Sequence, residues 1–116
     1  MSTNTSKGQW GERVAKDYLA DKGYQIRAIN YRHRRYEVDL IAQRKNWLVF
    51  VEVKMRKSTA FGYPEDFVGQ KKLARLRYAA AAYIDKVKWD GFIRFDIIAI
   101  EYFDHQYDIR HFIDVG

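Results

Sequence analysis

Cysteine is absent, so no disulfide framework, thiolate metal site or cysteine nucleophile can be built from this chain. Proline occurs once, at Pro64, and glycine only seven times, so few positions break regular structure. The residues Met1 to Ser6 are polar and do not form a secretory signal. The apolar run Trp47 to Val51 is far too short to span a bilayer. There is no glycine-rich phosphate loop, no Ser/His/Asp pattern, and no zinc-type spacing among His33, His105 and His111, whose expected roles are at the surface or in packing. A cytoplasmic protein without membrane association is expected.

The 116 residues make one domain, and a hydrophobic content of 47% provides a core without cross-links. The net charge of +6 is unevenly spread. Residues 1–57 hold 13 Lys and Arg against 6 Asp and Glu, whereas residues 58–116 hold 8 against 9. A basic half interleaved with aromatics suits a polyanion, because each phosphate neutralised releases counterions.

Ser6-Lys7-Gly8-Gln9 fits a helix-capping box. Gly11, Val14, Ala15, Tyr18 and Leu19 then lie on one helical face, and Gly23 ends the helix, predicting a helix over residues 7–22 behind a flexible tail of residues 1–6. Three strands follow. Residues 24–31 are β-branched and aromatic with interspersed polar positions. Residues 37–43 alternate, with Val38, Leu40 and Ala42 on one face and Glu37, Asp39 and Ile41 on the other. Residues 47–55 are nearly all apolar, as in a strand covered on both sides. Arg44-Lys45-Asn46 is the turn of the hairpin joining the last two.

Residues 56–66, with Gly62 and Pro64, read as a loop. A second helix is expected from about Phe67, with Leu73, Leu76, Ala80, Tyr83 and Ile84 on its apolar face, and Ala79 to Ala82 allow close approach to a sheet. Asp90-Gly91 is a turn, residues 92–102 a long strand, and residues 106–113 a short strand that closes the sheet. The order αβββαββ defines an α/β sandwich with a mixed central sheet flanked by helices, over a single domain of residues 7–116.

The unusual feature is Glu52 and Lys54 inside Val-Phe-Val-Glu-Val-Lys-Met. Residues two apart in a strand share a face, so a carboxylate and an ammonium lie in line with Leu48 and Phe50. Burying charge is expensive unless it is paired or bound. If the hairpin register brings Asp39 beside Glu52, two repelling carboxylates converge next to a lysine. A hard divalent cation such as Mg²⁺ relieves that repulsion and activates water toward a phosphodiester, with the lysine stabilising developing negative charge. The alternative is an ion-pair network among Asp39, Glu52 and Lys54 that only satisfies itself.

The stretches Tyr36-Glu37-Val38-Asp39-Leu40-Ile41-Ala42 and Val49-Phe50-Val51-Glu52-Val53-Lys54-Met55-Arg56 resemble the bacterial YraN-like family. That family belongs to the PD-(D/E)xK nuclease superfamily and is similar to archaeal Holliday-junction resolvases. Gly8, Gly11-Glu12, Ala15, Leu19, Gly23-Tyr24, Asn30-Tyr31-Arg32, Phe61-Gly62, the helix from Lys72 to Ile84, and Arg94-Phe95-Asp96-Ile97-Ile98 extend the match over nearly the whole chain.

The resemblance implies a restriction-endonuclease-like fold and a Mg²⁺- or Mn²⁺-dependent endonuclease acting on DNA, including branched or flapped forms. It places Asp39 and Glu52 as metal ligands, the Val53 carbonyl as a third, Lys54 as the lysine of the Glu-x-Lys pair, and Glu12 as an acidic residue approaching the metal. Glu37 is expected to orient a water or Lys54, or to cap the strand entrance. Tyr36 stands where the family usually has glycine, and Lys72-Leu73 where it usually has Lys-Gln. Gln70, on the same face as Leu73, could substitute for that glutamine, with Lys72 beside it supporting the site. By analogy with resolvases, a homodimer is expected.

Arg32, Arg34 and Arg35 before the Asp39 strand, and Arg56 and Lys57 after the Lys54 strand, are candidates to hold phosphates, which position without reading sequence. Phe61 and Tyr63 could stack on unpaired bases or cover the core. Two other functions keep the same fold: a nucleic-acid-binding module that does not cut, and a partner-binding protein whose charged cluster is structural.

Overall fold

Residues 6–57 and 70–116 are described by the structure, a computed structural model. The expected tail up to Thr5, the loop with Phe61, Gly62, Tyr63 and Pro64, and the helix start at Phe67 lie outside the described residues, as do the side chains of Ser6, Lys7 and Gln70. The elements run α1 (Ser6–Asp21), β1 (Gln25–His33), β2 (Tyr36–Arg44), β3 (Trp47–Lys57), α2 (Gln70–Val87), β4 (Phe92–Phe103) and β5 (Gln106–Phe112). This is the αβββαββ order read from the sequence.

The five strands form one sheet in chain order. All neighbouring pairs are antiparallel except β3 and β4, which run parallel from Trp47↔Phe92 to Lys57↔Tyr102. A parallel pair needs a long crossover, and α2 supplies it. The two helices cover opposite faces. α1 covers Leu40, Ala42, Val49, Val51, Ile98 and Ile100 with Ala15 and Leu19. α2 covers Val38, Ile41, Leu48 and Phe50 with Leu73, Leu76, Ala80 and Tyr83. β3 is therefore buried on both sides, as its unbroken apolar sequence implied.

Chain reversals follow local chemistry. At the end of α1, Tyr24 N donates to Leu19 O and Gly23 N to Ala20 O, both at 3.0 Å. Gly23 takes φ 92°, so this is the left-handed helix cap that favours glycine. Hairpins at Arg34-Arg35, Lys45-Asn46 and Asp104-His105 each begin with a left-handed residue, with φ between 51° and 59°. Gly11 permits α1 to lie close on β3, because a Cβ there would collide with the Met55 thioether.

Two expectations are corrected. Arg56 and Lys57 are not loop residues: β3 continues through them because β4 offers Glu101 and Tyr102 as ladder partners. Val38 does not share a face with Leu40 and Ala42; it packs with Ile41 on the α2 side. The alternation breaks at Asp39, which falls opposite Asn30, a left-handed residue (φ 52°) inside β1. A left-handed residue turns its strand out of the regular pleat.

Candidate active site where two strands part

The β2–β3 ladder runs from Arg44↔Trp47 to Leu40↔Val51 and goes no further, while β2 keeps pairing with β1 as far as the His33↔Tyr36 turn. The sheet therefore splits beyond Leu40. Asp39 stands at the split, and its Oδ2 accepts the Val53 N–H at 2.8 Å, replacing a backbone carbonyl that β2 no longer offers. A strand residue presents its N–H and C=O to the same neighbour, so the Val53 carbonyl also lies on the Asp39 side.

Glu52 precedes Val53 and points to the α2 face, where its Oε2 meets Lys72 Nζ at 2.7 Å. Glu52 is only 8% exposed, so this ion pair neutralises a charge with little access to water. Lys54 follows on the same face. Burial and the neighbouring Lys72 ammonium lower its pKa against the opposing pull of Glu52. Glu12 enters from α1 on the other face and is held by Asn30 Nδ2 at 3.1 Å. The register pairs β1 and β2 so that Asn30 faces Asp39.

Asp39 registers this arrangement electrostatically. Burial first, then Glu52, with smaller contributions from Glu37 and Glu12, raises its pKa to about 7, although the Val53 N–H pulls the other way. Carboxylates so close that one resists ionisation mark a place where a cation is favourable. Among the described residues no three His, Asp or Glu side chains converge to form a closed metal cage. Asp39, Glu52 and the Val53 carbonyl are the oxygens that could instead hold a cation in an open set, of the kind Mg²⁺ completes with waters. Asn30 Oδ1 is buried beside it with no hydrogen-bond partner among the described residues, an acceptor that a hydrated ion would satisfy. The donor set fits a divalent cation.

Other expected residues distribute around this centre. Glu37 pairs loosely with Arg32 at 3.8 Å. Lys72 is in the site through Glu52. Arg34 and Arg35 form the exposed β1–β2 turn, and Arg56 and Lys57 end β3 on the far side of Lys54.

Three features were not anticipated. Asn30 holds Glu12; in the sequence it is an asparagine inside a strand-like run and part of the Asn30-Tyr31-Arg32 match, neither of which gives it a partner. Arg75 and Tyr78 on α2 approach the Arg35-Tyr36 corner. Asp96 is fully buried within a polar network. It accepts from Arg94 Nε and Nη2, both at 2.9 Å, from His111 Nε2 at 2.7 Å and from the Asp114 N–H at 3.0 Å. Tyr18 meets His111 Nδ1 at 3.2 Å, so His111 has a packing role.

A mixed sheet between two helices, split beside an Asp and a Glu-x-Lys pair, defines the PD-(D/E)xK nuclease-like superfamily. Within it, the chain belongs to the uncharacterised protein family UPF0102, whose model matches residues 11–100. A UPF0102 protein of Cytophaga hutchinsonii is 48% identical over 94 residues, covering 81% of this chain and 83% of the relative. One of Flavobacterium psychrophilum is 40% identical over 114 residues, covering 98% and 96%. One of Syntrophomonas wolfei is 39% identical over 112 residues, covering 96% and 97%. Their names state a family and no reaction. Among the described residues no helix is long and apolar enough to cross a membrane.

Proposed function

We propose that this chain is a Mg²⁺- or Mn²⁺-dependent endonuclease that hydrolyses DNA phosphodiesters. The observation that carries the reading is the split between β2 and β3, which puts the Asp39 carboxylate on the Val53 N–H beside Glu52 and Lys54. Asp39, Glu52 and the Val53 carbonyl would hold the cation, which would supply Lewis acidity toward a phosphodiester oxygen.

The chain's own groups do the rest. Lys54, with its proton held less tightly than usual, donates to the attacking water or to the oxygen where negative charge develops. Lys72 compensates Glu52 and fixes its direction. Glu12, set by Asn30, faces the site from the opposite side. Arg32, Arg34, Arg35, Arg56 and Lys57 border the split and hold the backbone phosphates.

The ion pair between Glu52 and Lys72 favours a second reading, a nucleic-acid-binding module whose carboxylate is already neutralised. Incubating labelled duplex, single-stranded, flapped and four-way-junction DNA with Mg²⁺ or Mn²⁺ separates the two. Metal-dependent cutting by the wild type that is lost in the Glu52→Ala/Lys54→Ala variant supports the nuclease. Salt-sensitive binding without cutting of any substrate supports the module.

A further inference from the structure

Beside the split, the β1–β2 turn and α2 enclose a cleft of about 410 Å³ lined by Arg35, Tyr36 and Arg75. The Arg35 guanidinium lies 5.6 Å from the centre of the Tyr36 ring. Tyr78 packs on the same ring, with centroids 5.0 Å apart and planes inclined at 33°. Tyr78 is nonetheless 56% exposed. Among the described residues neither Arg35 nor Arg75 forms an ion pair with a carboxylate.

Position ties this cleft to the reaction centre. Tyr36 is three strand residues from Asp39, about 10 Å along β2. Arg75 lies one helical turn beyond Lys72, which grips Glu52.

The chemistry selects the occupant. Two guanidiniums suit phosphate oxygens, which they grip in a fork geometry. An exposed aromatic face suits a nucleobase, but only an unpaired one, because bases within a duplex are already stacked on each other. We infer that the Arg35–Tyr36–Arg75 cleft, with the exposed Tyr78 ring packed on Tyr36 beside it, binds single-stranded DNA adjoining the scissile bond, the arginines taking a phosphate and Tyr78 an unpaired base. The substrate class is then DNA with an unpaired stretch, and Tyr36, in place of the family's usual glycine, is the platform that holds Tyr78. This inference rests on the nuclease reading for its meaning, but its test does not require cleavage.

The test measures binding without metal, by fluorescence anisotropy of a labelled single-stranded oligonucleotide and its blunt duplex. The expected result is preference for the single strand. Tyr78→Ala should weaken its binding by about 5- to 100-fold, and Tyr78→Phe should restore it, because stacking needs the ring and not the hydroxyl. Arg75→Ala should lower the slope of log affinity against log salt by about 0.7 per lost phosphate contact. Circular dichroism confirms that each variant folds. Equal binding of both forms, or unchanged single-strand binding by folded Tyr78→Ala, overturns the inference. Failure of the nuclease reading would show separately, as tight binding with no metal-dependent cutting.

Discussion

The carboxylate of Asp39 occupies the hydrogen-bonding position on Val53 that a further residue pair of the β2–β3 ladder would have filled, at 2.8 Å. One contact thus does two things. It satisfies a backbone donor left over where the strands part, and it pins a carboxylate next to Glu52. The consequences can be measured.

Asp39 should make the metal-free protein less stable as pH rises. Its unfolded form loses a proton near pH 4, whereas the folded form retains it to about 7. Between those values the folded state binds more protons, so raising pH favours unfolding. The full shift corresponds to about 4 kcal/mol, and hydration of the partly open site reduces the expected change to roughly 1–3 kcal/mol. Asp39→Asn should lack this fall between pH 4 and 7. Urea denaturation across that range checks it, and parallel pH profiles for the two proteins would defeat the account.

Lys72→Met removes the cation from Glu52, which has little access to solvent. Lys72 is itself partly exposed, so the expected cost is about 1–2 kcal/mol, less than for a fully buried pair. Mg²⁺ should then raise the melting temperature of Lys72→Met more than that of the wild type, because binding the folded state offsets the lost charge. Thermal melts with and without Mg²⁺ test this. Equal shifts in both proteins would separate Glu52 from the metal.

Asn30→Gly should detach Glu12 without upsetting the strand. Glycine adopts the left-handed backbone of residue 30 freely, so the variant loses chiefly one side-chain hydrogen bond and stability should change by no more than about 1 kcal/mol. Metal-dependent cleavage should fall several-fold. If Glu12→Gln and Asn30→Gly both cleave at the wild-type rate, Glu12 has no part in the site.

Asp96, paired with Val51 in the β3–β4 ladder, stabilises the fold with the reverse pH dependence. Burial works to raise its pKa, but His111, Arg94 and the Asp114 N–H together outweigh burial and hold it below the usual carboxylate range. Its contribution is therefore complete above about pH 4 and is lost as pH falls through the lower folded value. Asp96→Ala strands Arg94 and His111, and should cost about 3–5 kcal/mol at neutral pH. Denaturant titrations at pH 7 and pH 3 should show that difference shrinking in acid.

The elements themselves were legible because burial imposes periodicity. Gly11, Val14, Ala15, Tyr18 and Leu19 marked the inner face of α1, and the apolar run after Trp47 marked a strand covered twice. Gly23 announced its cap through a backbone that few other residues adopt. Glu52 and Lys54 stood out because charge rarely enters such a run.

Pairings across the sheet were decided by three-dimensional packing. Nothing local to Asp39 states that β2 leaves β3 after Leu40, or that Asn30 turns left-handed opposite it and sends Val38 to the α2 face. β3 runs past the end of its apolar stretch because its last pairs depend on β4, forty-five residues away in the ladder Arg56↔Glu101 and Lys57↔Tyr102. The meetings of Lys72 with Glu52, Tyr78 with Tyr36 and His111 with Asp96 join separate elements in the same way. Side-chain type and spacing act along the chain, so by themselves they determined the helices, the strands and the residues able to do chemistry. Which of those residues face one another depends on how twisted strands and helices pack, and only the tertiary structure decided that.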